Sequence, residues 1–261
     1  MVILAADLDR AAETYTRLGF TLSPRGVHSD HMGSANHTIM LQDDYFEVLS
    51  VLKPTPANVG WRTRLETGEG LWATALKTDD AAGMADEMRA VGHAVRDMLD
   101  FSRPVTLADG TVGTAAFKVT HFNEPGTVRD GIFACQQLTR ETVWLPELME
   151  HANAATGIAA LEAVAPDPRE VAEQLSALFE AETVAAQDGS LSFAAGSVIV
   201  RIRPGETGGW PIRFTGLTLS VSDLARTELA LSGVAAERVG EMVRVAPDQT
   251  HGVVLGFTPG P

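Results

Sequence analysis

The sequence predicts an α+β protein made of four tandem β-α-β-β-β modules that pair into curved, cupped mixed sheets. Three observations lead to this prediction. An apolar run followed by an aspartate and an amphipathic helical pattern occurs four times along the chain. Short strand-like segments follow each of these helical patterns before the next apolar run begins. One module alone cannot bury its sheet, so we expect the modules to pair, each pair around a cleft.

The first module sets the pattern for the others. Residues 1–6 form an apolar run typical of a buried strand, and Asp7 follows as a predicted helix N-cap. Apolar residues then recur at helical spacing until Gly19, which suits the left-handed conformation that ends many helices. Three further strands are predicted for residues 20–23, 36–41 and 45–52.

The second module repeats this order. Residues 71–78 are its predicted first strand, and Asp79 or Asp80 caps the helix that follows. Later segments are a turn and two strands, at residues 108–110, 112–120 and 132–138.

The third and fourth modules complete the repeat. The third places Asp167 and Pro168 at the start of its helix, a cap followed by a proline at the first helical position. The fourth uses Asp223 in the same way. Their strands are predicted for residues 158–165, 182–186, 191–194 and 197–202, and for residues 217–222, around 239, 242–246 and 253–257. We predict two domains of two modules each, residues 1–155 and a degenerate pair at 156–261.

Composition limits the partners and the compartment. The 261 residues carry a formal net charge of −14, which repels phosphate backbones and argues against nucleic-acid binding. The single cysteine, Cys135, cannot form an internal disulfide, and its apolar neighbours predict a buried residue. The N-terminus lacks a secretory signal pattern, and no apolar stretch is long enough to span a bilayer. These features predict a cytoplasmic protein without a membrane partner.

Two segments carry a resemblance to a known superfamily. The first is Ile3-Leu-Ala-Ala-Asp-Leu-Asp-Arg-Ala-Ala-Glu-Thr-Tyr-Thr-Arg-Leu-Gly-Phe20, and the second is Gln136-Gln-Leu-Thr-Arg-Glu-Thr-Val-Trp144 followed by His151-Ala-Asn153. Over about residues 1–160 the chain resembles the vicinal oxygen chelate proteins, which include glyoxalase, extradiol dioxygenases and the fosfomycin and bleomycin resistance proteins. The second segment further resembles a glyoxalase-like branch of largely unassigned activity.

The resemblance implies a divalent metal, Zn, Ni, Mn or Fe, held by ligands from the first and last strands of the modules. It places Glu47 at the metal carboxylate position and Gln136 at the corresponding position of the second module. The fifth-strand histidine of many relatives would fall at Ala73, and the first-strand histidine one residue before Met1. That ligand either lies upstream or is lacking, so the set is incomplete as written.

Two histidines are candidates for proton transfer in the cleft. His37 lies in the predicted strand 36–41, and His121 lies at the end of the predicted strand 112–120. A core or edge histidine is the alternative for each. His151, with Asn153, is predicted to stabilise a turn through hydrogen bonds to the backbone, and His251 is predicted to lie at the surface beside a turn.

Two functions remain open from the sequence. The first is a glyoxalase-like enzyme that acts on a small oxygenated metabolite by metal-assisted lyase, isomerase or dioxygenase-type chemistry, with Glu47, His37 and His121 as catalytic residues. The second is a non-catalytic protein that binds a small molecule, as the drug-sequestering relatives do, with a degenerate metal site. In both, the partner is a small-molecule ligand. The resemblance also implies a homodimer, because superfamily members often share sheets between subunits.

Overall fold

The computed structural model describes residues 1–107 and 110–260, so the predicted turn at 108–110 lies partly outside the described residues. All four modules are present in the order strand, helix, three strands. The described strands are, by module, β1 (Val2–Leu4), β2 (Gly26–Val27), β3 (Ser34–Met40) and β4 (Tyr45–Val51); β5 (Gly70–Lys77), β6 (Leu99–Thr106), β7 (Val112–His121) and β8 (Ile132–Gln137); β9 (Ala155–Ala165), β10 (Val184–Ala185), β11 (Leu191–Ala195) and β12 (Val198–Pro204); and β13 (Arg213–Val221), β14 (Ala236–Val239), β15 (Met242–Val245) and β16 (Val254–Pro259). The described α-helices are α1 (Leu8–Arg17), α2 (Val59–Thr67), α3 (Ala81–Ala90), α4 (Pro168–Ser176) and α5 (Leu224–Ala230). The α+β fold class is confirmed.

An aspartate begins the helix of every module. Asp7, Asp80, Asp167 and Asp223 are the N-caps of α1, α3, α4 and α5, and each side chain accepts hydrogen bonds from backbone N–H groups of the first turn. The Asp7 carboxylate, for example, accepts from the Asp9 N–H at 2.9 Å. These bonds satisfy N–H groups that have no partner within the helix, which is why the aspartates mark the repeat.

Each module folds its strands in one pattern. The last strand pairs in parallel with the first, so that β1 pairs with β4, β5 with β8, β9 with β12 and β13 with β16. The third strand then pairs antiparallel with the fourth, and the second with the third.

The third and fourth modules join edge to edge. Their first strands, β9 and β13, pair antiparallel with register shifts along the pair, which gives the strand order β10-β11-β12-β9-β13-β16-β15-β14. The predicted pairing of modules is therefore confirmed for these two.

Contacts divide the chain into two compact units. The smaller unit comprises Ala73–Glu147 with Met1, and the larger unit comprises Val2–Trp72 with Leu148–Pro261. The first module thus belongs with the third and fourth by this criterion. The domain boundary near residue 155 stays a prediction.

An aromatic cluster under α1 forms part of the core of the larger unit. Tyr15 is fully buried, and its ring centroid lies 5.8 Å from that of Phe46 and 6.0 Å from that of Phe20. Phe20 also stacks on Phe257 of β16 at 6.0 Å. The cluster therefore connects the first and fourth modules through apolar contact.

His151 and Asn153 act on backbone groups, as predicted. His151 Nδ1 accepts from the Thr21 N–H at 3.0 Å, and its Nε2–H donates to the Met40 carbonyl at 2.8 Å. The Asn153 Nδ2 amide donates to the Leu18 carbonyl at 2.9 Å. Burial lowers the pKa of His151, so the neutral ring that these bonds require is favoured.

No helix within the described ranges is both long enough and apolar enough to cross a membrane.

Candidate functional site

Glu47 lies on the face of the first module that is opposite α1. Phe46, its neighbour in β4, contacts Tyr15 of α1, so Phe46 faces the helix. Successive side chains of a strand point to opposite faces, so Glu47 faces away from the helix. It is paired with Thr38 in β3 and Val2 in β1, and its side chain is half-buried.

The Glu47 carboxylate is already engaged by an amide. The Nδ2–H of Asn36 donates to Glu47 Oε2, from the neighbouring strand β3. Asn36 Oδ1 is buried and has no hydrogen-bond partner among the described residues. This face of the module therefore carries one carboxylate with an amide beside it.

His37 lies on the other face of the same sheet. It is paired with Val48, which alternates with Glu47 along β4. The His37 Nδ1 donates to the Ser23 carbonyl at 2.7 Å. The structure does not bring His37 and Glu47 to one face, so a shared cleft for this pair is not supported.

Strand register corrects the alignment of Gln136 with Glu47. Val2, the partner of Glu47, lies five residues before the N-cap Asp7. In the second module, the residue five before the N-cap Asp80 is Ala75, and its partner is Phe133. Phe133 therefore occupies the Glu47 position, and Gln136 lies three residues further along β8.

Gln136 is held at the start of α3. Its Oε1 accepts from the Ala81 N–H at 3.2 Å, and its Nε2–H donates to the Asp79 carbonyl. Both ends of the amide thus bind backbone groups at the helix N-terminus. The role of Gln136 as a metal ligand stays a prediction, and in this structure its amide makes the capping contact instead.

The same register position differs in every module. In the third module it is Arg201, paired with Glu162 and joined to it by an ion pair of 2.9 Å. In the fourth module it is Gly256, paired with Thr218. Of the four equivalent positions, only that of Glu47 carries a carboxylate.

The smaller unit has a sheet face lined by aromatic rings. Gln136 faces α3, so its neighbours Cys135 and Gln137 in β8, and then Phe133, point to the opposite face. The residues paired with these three extend the face across β7 and β6. We call this surface the aromatic face and define it by the residues Leu99, Phe101, Phe117, Val119, His121, Phe133, Cys135 and Gln137.

Two ring pairs dominate the aromatic face. Phe101 and Phe117 stack with centroids 5.1 Å apart, and His121 and Phe133 stack at 5.0 Å. All four side chains are only partly buried. Of these four rings, only His121 was predicted from the sequence. Alternation along the predicted strands 112–120 and 132–138 could have placed Phe117 and Phe133 beside it.

A polar atom completes the aromatic face. Gln137, opposite Phe117, has a buried Oε1 with no hydrogen-bond partner in the part of the chain that the structure describes. Burying an acceptor without a partner is unfavourable by about 1–3 kcal/mol. A ligand that donates a hydrogen bond there would restore the lost interaction.

Burial also keeps His121 neutral. Burial, and to a smaller extent the nearby charge of Arg96, together lower the pKa of His121 to about 4. A neutral imidazole suits an apolar surface, and it can stack on Phe133 without the need to bury a charge.

The His121 pKa makes stability depend on pH. The unfolded chain protonates this histidine near pH 6.5, whereas the folded chain does so near pH 4. The contribution of neutral His121 to the free energy of unfolding is fully present above about pH 6.5. It is lost as the pH falls towards 4, because the unfolded state binds more protons than the folded state in that window. We expect His121→Phe to lose less stability than the wild type between pH 7.5 and 4.5, measured by urea unfolding. Equal losses would contradict the assignment.

Comparison with known structures supports the fold. A hypothetical protein from Staphylococcus aureus is 13% identical, with a TM-score of 0.71, covering 99% of this chain and 97% of that one. A mutant of 4-hydroxymandelate synthase from Streptomyces coelicolor is 13% identical, with a TM-score of 0.56, covering 100% and 92%. Homoprotocatechuate 2,3-dioxygenase from Brevibacterium fuscum, in complex with 3,4-dihydroxyphenylacetate, is 11% identical, with a TM-score of 0.60, covering 99% and 79%. No curated protein matches the sequence.

These three structures are all under 25% identical to the chain, so they show its fold alone. The family model for the glyoxalase-like domain matches residues 1–179, which is more than half of the chain. The chain belongs to the glyoxalase-like domain family.

The divalent metal that the sequence resemblance implies does not fit the side chains present. The described residues contain no group of three or more His, Cys, Asp or Glu side chains placed to hold an ion. Glu47 accepts an amide N–H from Asn36, and the equivalent positions carry Phe133, Arg201 and Gly256. A phenyl ring and a guanidinium are not ligands for a hard or borderline cation, and a glycine offers no side-chain ligand.

Proposed function

We propose that the protein is a small-molecule binding member of the glyoxalase-like family, which holds a flat aromatic ligand on the aromatic face. The stacked, partly exposed rings are the observation that carries this proposal. Aromatic rings offer a large contact area and favour offset stacking with a second ring. The unpartnered Gln137 Oε1 adds a requirement for one O–H or N–H donor on the ligand.

The chemistry of the face explains why such a ligand would be favoured. Leu99, Val119 and Cys135 surround the rings with apolar surface, and neutral His121 adds no charge. Apolar pockets with a few placed polar atoms are the usual form of small-molecule sites. Binding here needs no metal. This agrees with the described residues, which contain no group of three His, Cys, Asp or Glu side chains placed to hold one.

The test uses 2-naphthol and naphthalene as probes, because they differ by one hydroxyl group. We expect 2-naphthol to bind more tightly, with the hydroxyl donating to Gln137 Oε1. Phe117→Ala and Phe133→Ala should each weaken binding about 3- to 10-fold, the loss of one stacking contact. Phe179→Ala is the matched control, since Phe179 pairs with Phe193 at 6.1 Å in the larger unit and should leave affinity unchanged. Fluorescence titration measures all four proteins.

Metal analysis separates this proposal from metal-assisted catalysis. Addition of EDTA should leave 2-naphthol affinity unchanged, and the purified protein should carry less than stoichiometric Mn, Fe, Ni or Zn. Stoichiometric metal that is lost in Glu47→Ala would overturn the proposal in favour of an enzyme. Equal affinity of the wild type and both phenylalanine variants would also overturn it.

A further inference from the structure

A second, polar pocket lies within the larger unit. It has a volume of about 200 Å³ and lies beside α1. Its lining is almost entirely polar and comprises Arg10, Glu13, Thr14, Arg17, Glu69, Asp248, Gln249 and His251. An apolar cavity of about 150 Å³ accepts benzene, so this volume suits a ligand of about six to ten non-hydrogen atoms.

A carboxylate–imidazole pair lies at this pocket. The His251 Nδ1–H donates to Glu69 Oε2 at 3.0 Å, and the other carboxylate oxygen accepts from the Ala6 N–H at 2.7 Å. With Nδ1 as the donor, Nε2 carries the free lone pair of the ring. The His251 side chain is only 5% exposed, which corrects the prediction of a surface histidine. Its Nε2 has no hydrogen-bond partner among residues 1–107 and 110–260.

The backbone around His251 is arranged to hold this pair. His251 adopts a left-handed conformation with φ of 55°, and Gly252 follows with φ of 80°. A Cβ atom on Gly252 would lie 2.4 Å from the Glu69 carbonyl oxygen, so only glycine permits the two segments to come this close. The Tyr15 hydroxyl donates to the Thr250 carbonyl at 3.1 Å, and its ring stacks on the His251 ring at 6.2 Å. Unfavourable backbone conformations of this kind are maintained by the surrounding structure and concentrate at functional sites.

The pocket carries charges of both signs, two arginines and, when Glu69 is counted, three carboxylates. Arg10 and Arg17 of α1 contribute two cations, and Glu13 and Asp248 contribute two carboxylates. In the described part of the chain, none of these four side chains forms an ion pair with another protein group. The Glu69 carboxylate, in contrast, is committed to His251 and Ala6.

We propose that this pocket binds a small zwitterion of the amino-acid class. Its carboxylate would accept hydrogen bonds from Arg10 and Arg17, since guanidinium groups bind carboxylates in a two-pronged geometry. Its ammonium would donate to Glu13, Asp248 and the His251 Nε2 lone pair. A simple anion would leave the acidic side chains without a positive partner, and a simple amine would leave the arginines without a negative partner.

Calorimetric titration of the full chain with L-serine tests the proposal, with lactate and ethanolamine as matched probes. Lactate has the carboxylate without the ammonium, and ethanolamine has the ammonium without the carboxylate. We expect L-serine to bind at least tenfold more tightly than either. L-serine should also shift the imidazole nitrogen signals of His251 in an NMR spectrum of the histidine side chains.

Variants identify the groups that contact the ligand. Arg10→Gln and Arg17→Gln should each weaken L-serine binding about tenfold, whereas Arg169→Gln, an exposed arginine of α4 outside the pocket, should not. His251→Gln should weaken binding as well. If that variant fails to fold, the two exposed arginine variants still decide the question. Retained affinity for 2-naphthol in all arginine variants would show that the two sites are independent.

Three results would overturn the proposal. The first is that lactate binds as tightly as L-serine, which would identify an anion site. The second is that none of the three probes binds at millimolar concentration. The third is that L-serine binds with unchanged affinity in both arginine variants, which would place it elsewhere on the chain.

Discussion

Tyr15→Ala should lower the free energy of unfolding by about 3–5 kcal/mol, because it empties the centre of the aromatic cluster under α1. Tyr15 is fully buried and touches Phe20, Phe46 and His251. The cavity would lie where the first and fourth modules meet, so neither can close it without moving the other. Urea unfolding followed by circular dichroism measures the loss.

Tyr15→Phe is the matched control, since it keeps the ring and removes only the hydroxyl. Burial raises the pKa of Tyr15, so its hydroxyl stays protonated and donates to the Thr250 carbonyl. Loss of this bond should cost about 1–2 kcal/mol, clearly less than loss of the ring. Equal destabilisation by the two substitutions would show that the hydrogen bond, and not the packing, holds the modules together.

Gly252→Ala should be the second severe substitution, with a loss of about 2–5 kcal/mol. The new Cβ would meet the Glu69 carbonyl oxygen at 2.4 Å, and the alanine would have to keep a φ of 80°. The left-handed conformation alone costs about 1–2 kcal/mol for a residue with a side chain, and overpacking adds about 1–3 kcal/mol. Thermal unfolding by calorimetry measures the change.

Gly240→Ala provides the matched comparison for the backbone effect. Gly240 also has a positive φ, of 62°, but a Cβ there would meet nothing within 4 Å. It should lose only the conformational part, about 1–2 kcal/mol. A Gly240 variant as unstable as the Gly252 variant would mean that the contact with Glu69 adds nothing. L-serine binding should fall in the Gly252 variant and remain in the Gly240 variant.

The sequence was sufficient to predict the repeated modules, because their signals are local. An apolar strand, a capping aspartate and an amphipathic helix follow one another within about twenty residues, and each has a direct physical cause. The strand β6 was missed, since its segment contains Pro104 and several polar residues. In the described residues β6 pairs only with β7, and an edge strand tolerates a proline that a central strand would not.

The candidate sites depended on register and on distant contacts, which sequence does not encode locally. The register pairs Ala75 with Phe133, so Phe133 takes the position equivalent to Glu47, and Gln136 lies three residues further along β8. His37 follows Asn36 by one residue in β3, but successive side chains of a strand alternate, so His37 lies on the opposite face of the sheet. The His251–Glu69 pair joins residues 182 positions apart, so a turn-flanking histidine gave no sign of its partner.

The parallel pairing of the first and last strands has a consequence for the order of folding. Val2 pairs with Glu47, which lies 45 positions later in the chain, whereas β3 and β4 pair with each other across a short turn. Hairpins should therefore form early. The first strand of each module can pair only after the last strand of that module has been synthesised. Folding rates fall as the sequence separation of native contacts rises, so we expect slow, stepwise maturation of nascent chains, with apolar strand edges exposed to chaperones meanwhile.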